Sequence, residues 1–270
     1  MEKRIEDFSW AGSRENFVDK PDIKELGNIV LGRYGGNSSA GQYKNEDACL
    51  IWTDENEDWE FVMVMDAHNT AESAEKVLEQ FEVNKTGLKK RLSGEIRAEF
   101  FIQLEERVLE IFRDEEFVKI CRNVQGETAC LIAVRKDKYL WWFSVGDCLL
   151  YLFHPELAAF GQYQLNQRQF YEWVGQVNTF DQPVPCFSSG TRELRQGENH
   201  LLITTDGLVE CPGEPYSKPE RLFEEFNGKT QSEGIGDLLK EIQENGIRDS
   251  TTIVSWKVDV LKKAALASNQ

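Results

Sequence analysis

Three apolar segments crowd the middle of the chain, at 128–134, 139–145 and 149–153, with residues 135–138 and Gly146-Asp147 read as the short polar turns between them. Links this short cannot carry the crossover that parallel strands need, so the segments read as an antiparallel meander. Their residues are apolar almost without alternation, which predicts strands covered on both faces. Segments 48–53 and 61–65, separated by the acidic stretch 54–58, read as a second hairpin. A short apolar run at 28–34 ends in the turn cluster Gly35-Gly36-Asn37-Ser38-Ser39, and 201–205 and 251–258 read as further strands. Apolar residues recur at helical spacing over 70–81 (Ala71, Ala74, Val77, Leu78, Phe81) and over 95–112 (Phe100, Phe101, Leu104, Val108, Ile111, Phe112). Both predict a helix with one buried face, and 221–226 and 235–242 read as two more.

The ends of this pattern are less regular. Residues 1–27 are polar and read as a loosely packed N-terminal arm. Residues 155–198, rich in Gln and aromatics and holding Pro183 and Pro185, read as a partly structured insertion over the core. No internal repeat or low-complexity linker divides the 270 residues, which predicts a single domain over 1–270.

Charge narrows the function. The net charge is −16, with 31 Lys and Arg against 47 Asp and Glu. Such a surface repels nucleic-acid backbones and anionic membranes, so neither is expected as a partner. No apolar run is long enough to span a bilayer, and residues 1–10 lack the apolar core of a signal peptide, so a cytoplasmic location is expected. The six cysteines form no C-x-x-C pair and no zinc spacing, which argues against a disulfide frame or a thiol enzyme.

The acids are placed in a telling way. Glu46-Asp47 precedes the strand at 48–53, Asp66 follows that at 61–65, Asp206 follows that at 201–205, and Asp249 precedes that at 251–258. Strand ends hold side chains rigidly while loops bring them together. Carboxylates gathered at one rim repel and titrate upward unless a cation neutralises them. Ligands made only of oxygen favour Mg²⁺ or Mn²⁺ over zinc.

Six motifs, in order, carry a resemblance. They are Asn45-Glu46-Asp47-Ala48, Val64-Met65-Asp66-Ala67-His68-Asn69, Gly126-Glu127-Thr128-Ala129, Ser144-Val145-Gly146-Asp147-Cys148-Leu149-Leu150-Tyr151, Leu202-Ile203-Thr204-Thr205-Asp206-Gly207-Leu208 and Arg248-Asp249-Ser250-Thr251-Thr252. Together they resemble the metal-dependent Ser/Thr protein phosphatases of the 2C type, over residues 28–258. The resemblance implies an α+β fold, a four-layer αββα sandwich of two antiparallel β-sheets flanked by helices. It implies two Mg²⁺ or Mn²⁺ ions, with Asp66 bridging them. Asp206 and Asp249 would hold one ion, and Glu46 and the carbonyl of Ala67 the other. Asp147 would belong to a looser third site, and Asp47 would orient the ligands from behind. A hydroxide shared by the ions would attack the phosphorus of phosphoserine or phosphothreonine in a protein substrate, and His68 would protonate the leaving oxygen.

The sequence departs from the family at several points. Ala67 stands for glycine, Glu127 and Cys148 each for serine, and Ser250 for asparagine. Gln42 lies four residues before Glu46, where many family members carry a phosphate-binding arginine. Arg33, near the end of the 28–34 run, is either a solvated arginine beside a glycine turn or the residue that compensates, and on the second reading Arg33 and Gln42 are the candidate substrate-binding pair. A weakly active or inactive metal-binding regulatory module is the alternative function. A metal phosphodiesterase or nuclease is disfavoured by the charge and the motif order. Residues 155–185 map to the family's flap. Its aromatics Phe160, Tyr163, Phe170, Tyr171 and Trp173 either pack the insertion onto the core or bind a partner.

Overall fold

The computed structural model describes residues 5–266. In its first sheet the strands lie in the order β1 (Ile5–Ala11), β4 (Ala48–Asp54), β5 (Trp59–His68), β6 (Glu127–Lys136), β7 (Tyr139–Val145) and β10 (Ser188–Glu193), and the short β9 (Val174–Gly175) pairs with β6. The second sheet runs β2 (Asp22–Leu26), β3 (Ile29–Tyr34), β12 (Thr251–Val260), β11 (Gly197–Thr204) and β8 (Leu149–Phe153). The pairings between these strands are antiparallel. The helices are α1 (Glu72–Leu92), α2 (Phe100–Phe112), α3 (Glu115–Cys121), α4 (Pro155–Ala158), α5 (Pro219–Glu225) and α6 (Gln231–Glu244).

The strand period of two divides the apolar residues between layers. Cys49, Ile51, Val62, Val64 and Leu131 face Leu31, Leu150, Leu201, Ile203 and Val254 across the space between the sheets. Their chain neighbours Leu50, Trp52, Met63, Met65 and Ile132 point the other way, under Val77, Phe81, Leu104 and Phe112 of α1 and α2. The outer face of the second sheet, with Val30, Tyr151, Leu202 and Ile253, is covered by Leu222 of α5 and by Ile235, Leu238 and Leu239 of α6. The result is the expected four-layer αββα sandwich. Strands buried on both faces have no solvent side to keep polar, which explains the unbroken apolar runs. Contact between α6 and β3 is tight: a Cβ at Gly32 would stand 2.4 Å from Ile235 Cγ2.

Four local expectations need correction. The meander stops at β7. Cys130 of β6 pairs with Val145 of β7, but Leu150 of β8 pairs with Ile203 of β11 in the other sheet. Residues 146–148 are therefore a sheet-to-sheet link, not a hairpin turn. Three residues span about 10 Å, the spacing of stacked sheets, so link length alone does not separate the two topologies. The N-terminal arm is not loose over its described part. β1 extends the first sheet along β4 and β2 extends the second along β3. These are edge strands whose charged side chains face solvent, so their composition hid the Phe8, Trp10 and Leu26 that pack between the sheets. The insertion contributes the edge strand β10, paired with β7. Its aromatics divide. Tyr163 and Trp173 pack against the core, whereas Phe160, Phe170 and Tyr171 are exposed. The helix α3, missed in the sequence, is too short to show a period; Asp114 caps it by accepting the Phe117 N–H at 2.9 Å. The six cysteines are free, five of them buried.

Candidate active site

Loops from both sheets bring the strand-end acids to one rim. Asp66 sits near the end of β5, Asp147 in the link between β7 and β8, and Asp206 just after β11. One carboxylate oxygen from each lies within 4.8 Å of the others, and all three residues are buried. Close packing of the loops sets this geometry. A Cβ at Gly207 would stand 2.3 Å from the Ser250 carbonyl oxygen, so only glycine lets the Asp206 turn lie against the loop carrying Asp249.

Behind the cluster, fully buried Asp47 is the organiser. Its Oδ2 accepts from Thr252 Oγ1 at 2.7 Å and from Thr205 Oγ1 at 3.1 Å. Thr205 Oγ1 in turn accepts the Thr252 N–H at 3.0 Å. The network joins the loop before β4 to the residues flanking Asp206 and Asp249. Thr128 Oγ1 donates to the Asp66 carbonyl at 3.0 Å, fixing the end of β5 to β6.

The electrostatics are those of an acid cluster short of positive charge. Burial, then the charges of Asp206, Asp47 and Asp249, push the Asp66 carboxyl well up from its ordinary value. Asp47 is raised chiefly by burial, against the two threonine hydroxyls that favour its ionised form. Asp206 is pushed up to about 6, with burial the main cause. Asp147 is raised by burial and drawn back by Arg168. Asp249, though open to the cleft, is also raised, because the surrounding protein outweighs the N–H bond from Ser250 and the nearby His68. Asp47 Oδ1, Asp66 Oδ2, Asp147 Oδ1 and Asp206 Oδ1 are buried and meet no hydrogen-bond donor. Clustered buried carboxylates that each keep an oxygen without a donor suit a hard divalent cation, so Asp66, Asp147 and Asp206 fit such an ion.

Glu46 and Asp249 lie beside this triad. With Gln42, Lys44, Asn69 and Arg248 they line an open cleft of about 400 Å³. Lys44 Nζ lies 2.5 Å from Glu46 Oε1 and donates to the Asn69 carbonyl. Ala67 is buried between Asp66 and His68, and its φ is not positive, so the extra methyl relative to glycine brings no backbone strain. His68 is exposed at the end of β5, its ring 5.3 Å from that of Trp173.

Arg33 does not join this group, which corrects the expectation that it reaches the rim. Its Nε and Nη2 donate to Asp22 Oδ2 at 3.1 and 2.5 Å, and its guanidinium lies 4.3 Å from the Phe17 ring centroid and 5.1 Å from that of Trp10. β2, which brings Asp22 opposite Arg33, was hidden in the supposed arm. Two residues without an assigned role in the sequence enter instead. Arg168 Nη2 lies 3.1 Å from Asp206 Oδ2, 3.6 Å from Asp147 Oδ2 and 2.5 Å from Glu210 Oε1. Asn166 holds the 146–148 link, accepting the Leu150 N–H at 2.8 Å and donating to the Cys148 carbonyl at 2.8 Å. Neither had a signal beyond its place in the insertion, since both act across gaps in sequence that no local pattern reports.

No family model matches the sequence, and no curated protein matches it. Solved structures do. The chain is similar to a bacterial serine phosphatase bearing a single arginine substitution, at 17% identity over 88% of this chain and 100% of that one, with a TM-score of 0.63. It is similar to RsbX in complex with magnesium, at 13% identity over 88% of this chain and 100% of that one, with a TM-score of 0.57. It is also similar to the Mycobacterium tuberculosis serine/threonine phosphatase PstP/Ppp, at 13% identity over 96% and 99% of the two chains, with a TM-score of 0.57. The two antiparallel sheets with their outer helices thus form the fold of the Ser/Thr phosphatases of the 2C type.

Proposed function

We propose that the protein is a Mg²⁺- or Mn²⁺-dependent phosphomonoester hydrolase acting on phosphoserine and phosphothreonine of proteins. The observation that carries this reading is the triad of buried aspartates, each with one oxygen that meets no donor, set in the fold of the 2C-type phosphatases. Asp66, Asp147 and Asp206 would hold the cations, with Asp249, Glu46 and the Ala67 carbonyl beside them. Divalent cations bound there supply phosphate charge neutralisation and a water acidic enough to attack near neutral pH. The chain's own residues do the rest. Asp47 keeps the loops before β4 and β12 in register with Asp206 through Thr205 and Thr252. His68, exposed beside Asp147 and Asp249, is placed to give a proton to the leaving serine or threonine oxygen.

A regulatory module with little turnover is the second reading. It is favoured by the neutral Gln42 and by the hold of Arg168 on Asp206 and Asp147. Hydrolysis of para-nitrophenyl phosphate and of a phosphothreonine peptide, in Mn²⁺ and in chelator, decides between them. Turnover in Mn²⁺ that chelator abolishes is expected. His68→Ala should slow the peptide about 10²–10⁴-fold and the aryl ester much less, because nitrophenolate leaves without a proton. Metal binding without turnover on either substrate would favour the regulatory module.

A further inference from the structure

The cleft beside the aspartate triad lacks the cation expected at position 42, and the structure offers few replacements. Arg33 is spent on Asp22. Lys44 is held by Glu46 and the Asn69 carbonyl. Arg168 is shared among Asp147, Asp206 and Glu210. Arg248 differs from all three. It lines the cleft, is exposed, and forms no ion pair or side-chain hydrogen bond with any described residue.

Arg248 is also next to the position it would replace. Gly36 has φ +80°, and a Cβ there would stand 2.2 Å from the Arg248 carbonyl oxygen and 3.1 Å from Gln42 Cγ. Only a glycine lets the turn after β3 come this close, and the same point touches the Arg248 backbone and the Gln42 side chain, so the two residues are neighbours. A phosphate dianion entering a cleft that already holds Glu46 and Asp249 needs a fixed positive charge with paired donors, and a free guanidinium supplies both. We propose that Arg248, in place of residue 42, supplies the guanidinium that binds the substrate's phosphate group. The proposal rests on the phosphomonoesterase reading above and names the residue by which that site takes its substrate.

Calorimetric titration of the Mn²⁺-loaded full chain with inorganic phosphate tests it. Arg248→Ala should raise the phosphate dissociation constant about 10- to 100-fold. Arg248→Lys should raise it less, since it keeps the charge but loses the fork. Adding Gln42→Arg to Arg248→Ala should restore binding. Mn²⁺ affinity, titrated in parallel, should be unchanged or tighter, because a cation beside Asp249 has been removed. An unchanged phosphate constant in Arg248→Ala overturns the proposal. So does a loss of phosphate binding that is matched by a loss of Mn²⁺ affinity, and so does a wild-type protein that binds no phosphate. The two readings fail separately. A wild-type protein that hydrolyses the phosphopeptide while Arg248→Ala binds phosphate normally keeps the hydrolase and loses the role of Arg248. One that turns over nothing but loses phosphate with Arg248→Ala keeps the binding site and loses the hydrolase.

Discussion

Asp66 and Asp206 are held out of water with their charges facing each other, and this has a measurable cost when no cation is bound. Below the ordinary carboxylate range both the native and the unfolded chain carry Asp206 protonated, so folding is not penalised. As pH rises, the unfolded chain ionises first. The native chain must then ionise a group whose pKa is raised to about 6, and stability is lost through that window. In chelator, the melting temperature should therefore fall between pH 4.5 and pH 7.5. Asp206→Asn should stabilise the chelated protein at pH 7.5 by about 1–3 kcal/mol, and by only about a third of that at pH 4.5, where the unfolded chain has begun to ionise. A variant that melts below the wild type at pH 7.5 in chelator would show that the Arg168 pair outweighs the burial of the charge. At the same scale, Arg33 shows how a single side chain can mislead. Its place near the end of an apolar run pointed to the rim, but a carboxylate on the neighbouring strand captured it.

At the scale of elements, the 146–148 link decides whether Asp147 belongs to the site. If β8 had paired with β7, the link would be a hairpin turn at the edge of one sheet. Because β8 pairs with β11, the link crosses between the sheets and Asp147 arrives beside Asp66 and Asp206. Asn166 holds that crossing, bonding Leu150 N–H, the Cys148 carbonyl and Ser144 Oγ while buried. Asn166→Ala leaves these groups without partners and should cost about 2–4 kcal/mol in denaturant unfolding. Mn²⁺ affinity should weaken too, because the aspartate it steadies becomes mobile. A destabilised variant with wild-type Mn²⁺ affinity would confine Asn166 to the fold and separate the crossing from the site.

Across the whole molecule, the rim joins the two sheets, so an ion bound there would be linked to the fold. Asp66 comes from the first sheet, Asp206 and Asp249 from the ends of strands in the second, and Asp147 from the link between them. An ion that binds this arrangement does not bind the unfolded chain equally well. At about 100 times its dissociation constant it should add about 2.7 kcal/mol to stability. Melting curves in Mn²⁺ and in chelator check this, and identical curves would remove the metal centre. Among the described residues, no helix is long and apolar enough to cross a membrane.

Much of this was legible in the chain alone. Unbroken apolar runs marked β4, β5, β6, β7, β11 and β12 because burial on both faces leaves a local signature in every residue. Acids at strand ends marked the rim, since a strand that ends in Asp is local too. The remainder was decided by contacts between residues far apart in sequence. Edge strands β1 and β2 carry the polar residues of a solvent face, so only their pairing with β4 and β3 identifies them. The sheet that β8 joins, the partner of Arg33 and the approach of Arg168 to the aspartates were equally invisible. Asp47 and Thr252 are 205 positions apart, yet their 2.7 Å hydrogen bond sets the floor of the site. Periodicity reports which face of an element is buried. Which charge meets which carboxylate depends on where the closed sandwich places both, and that is a property of the tertiary structure.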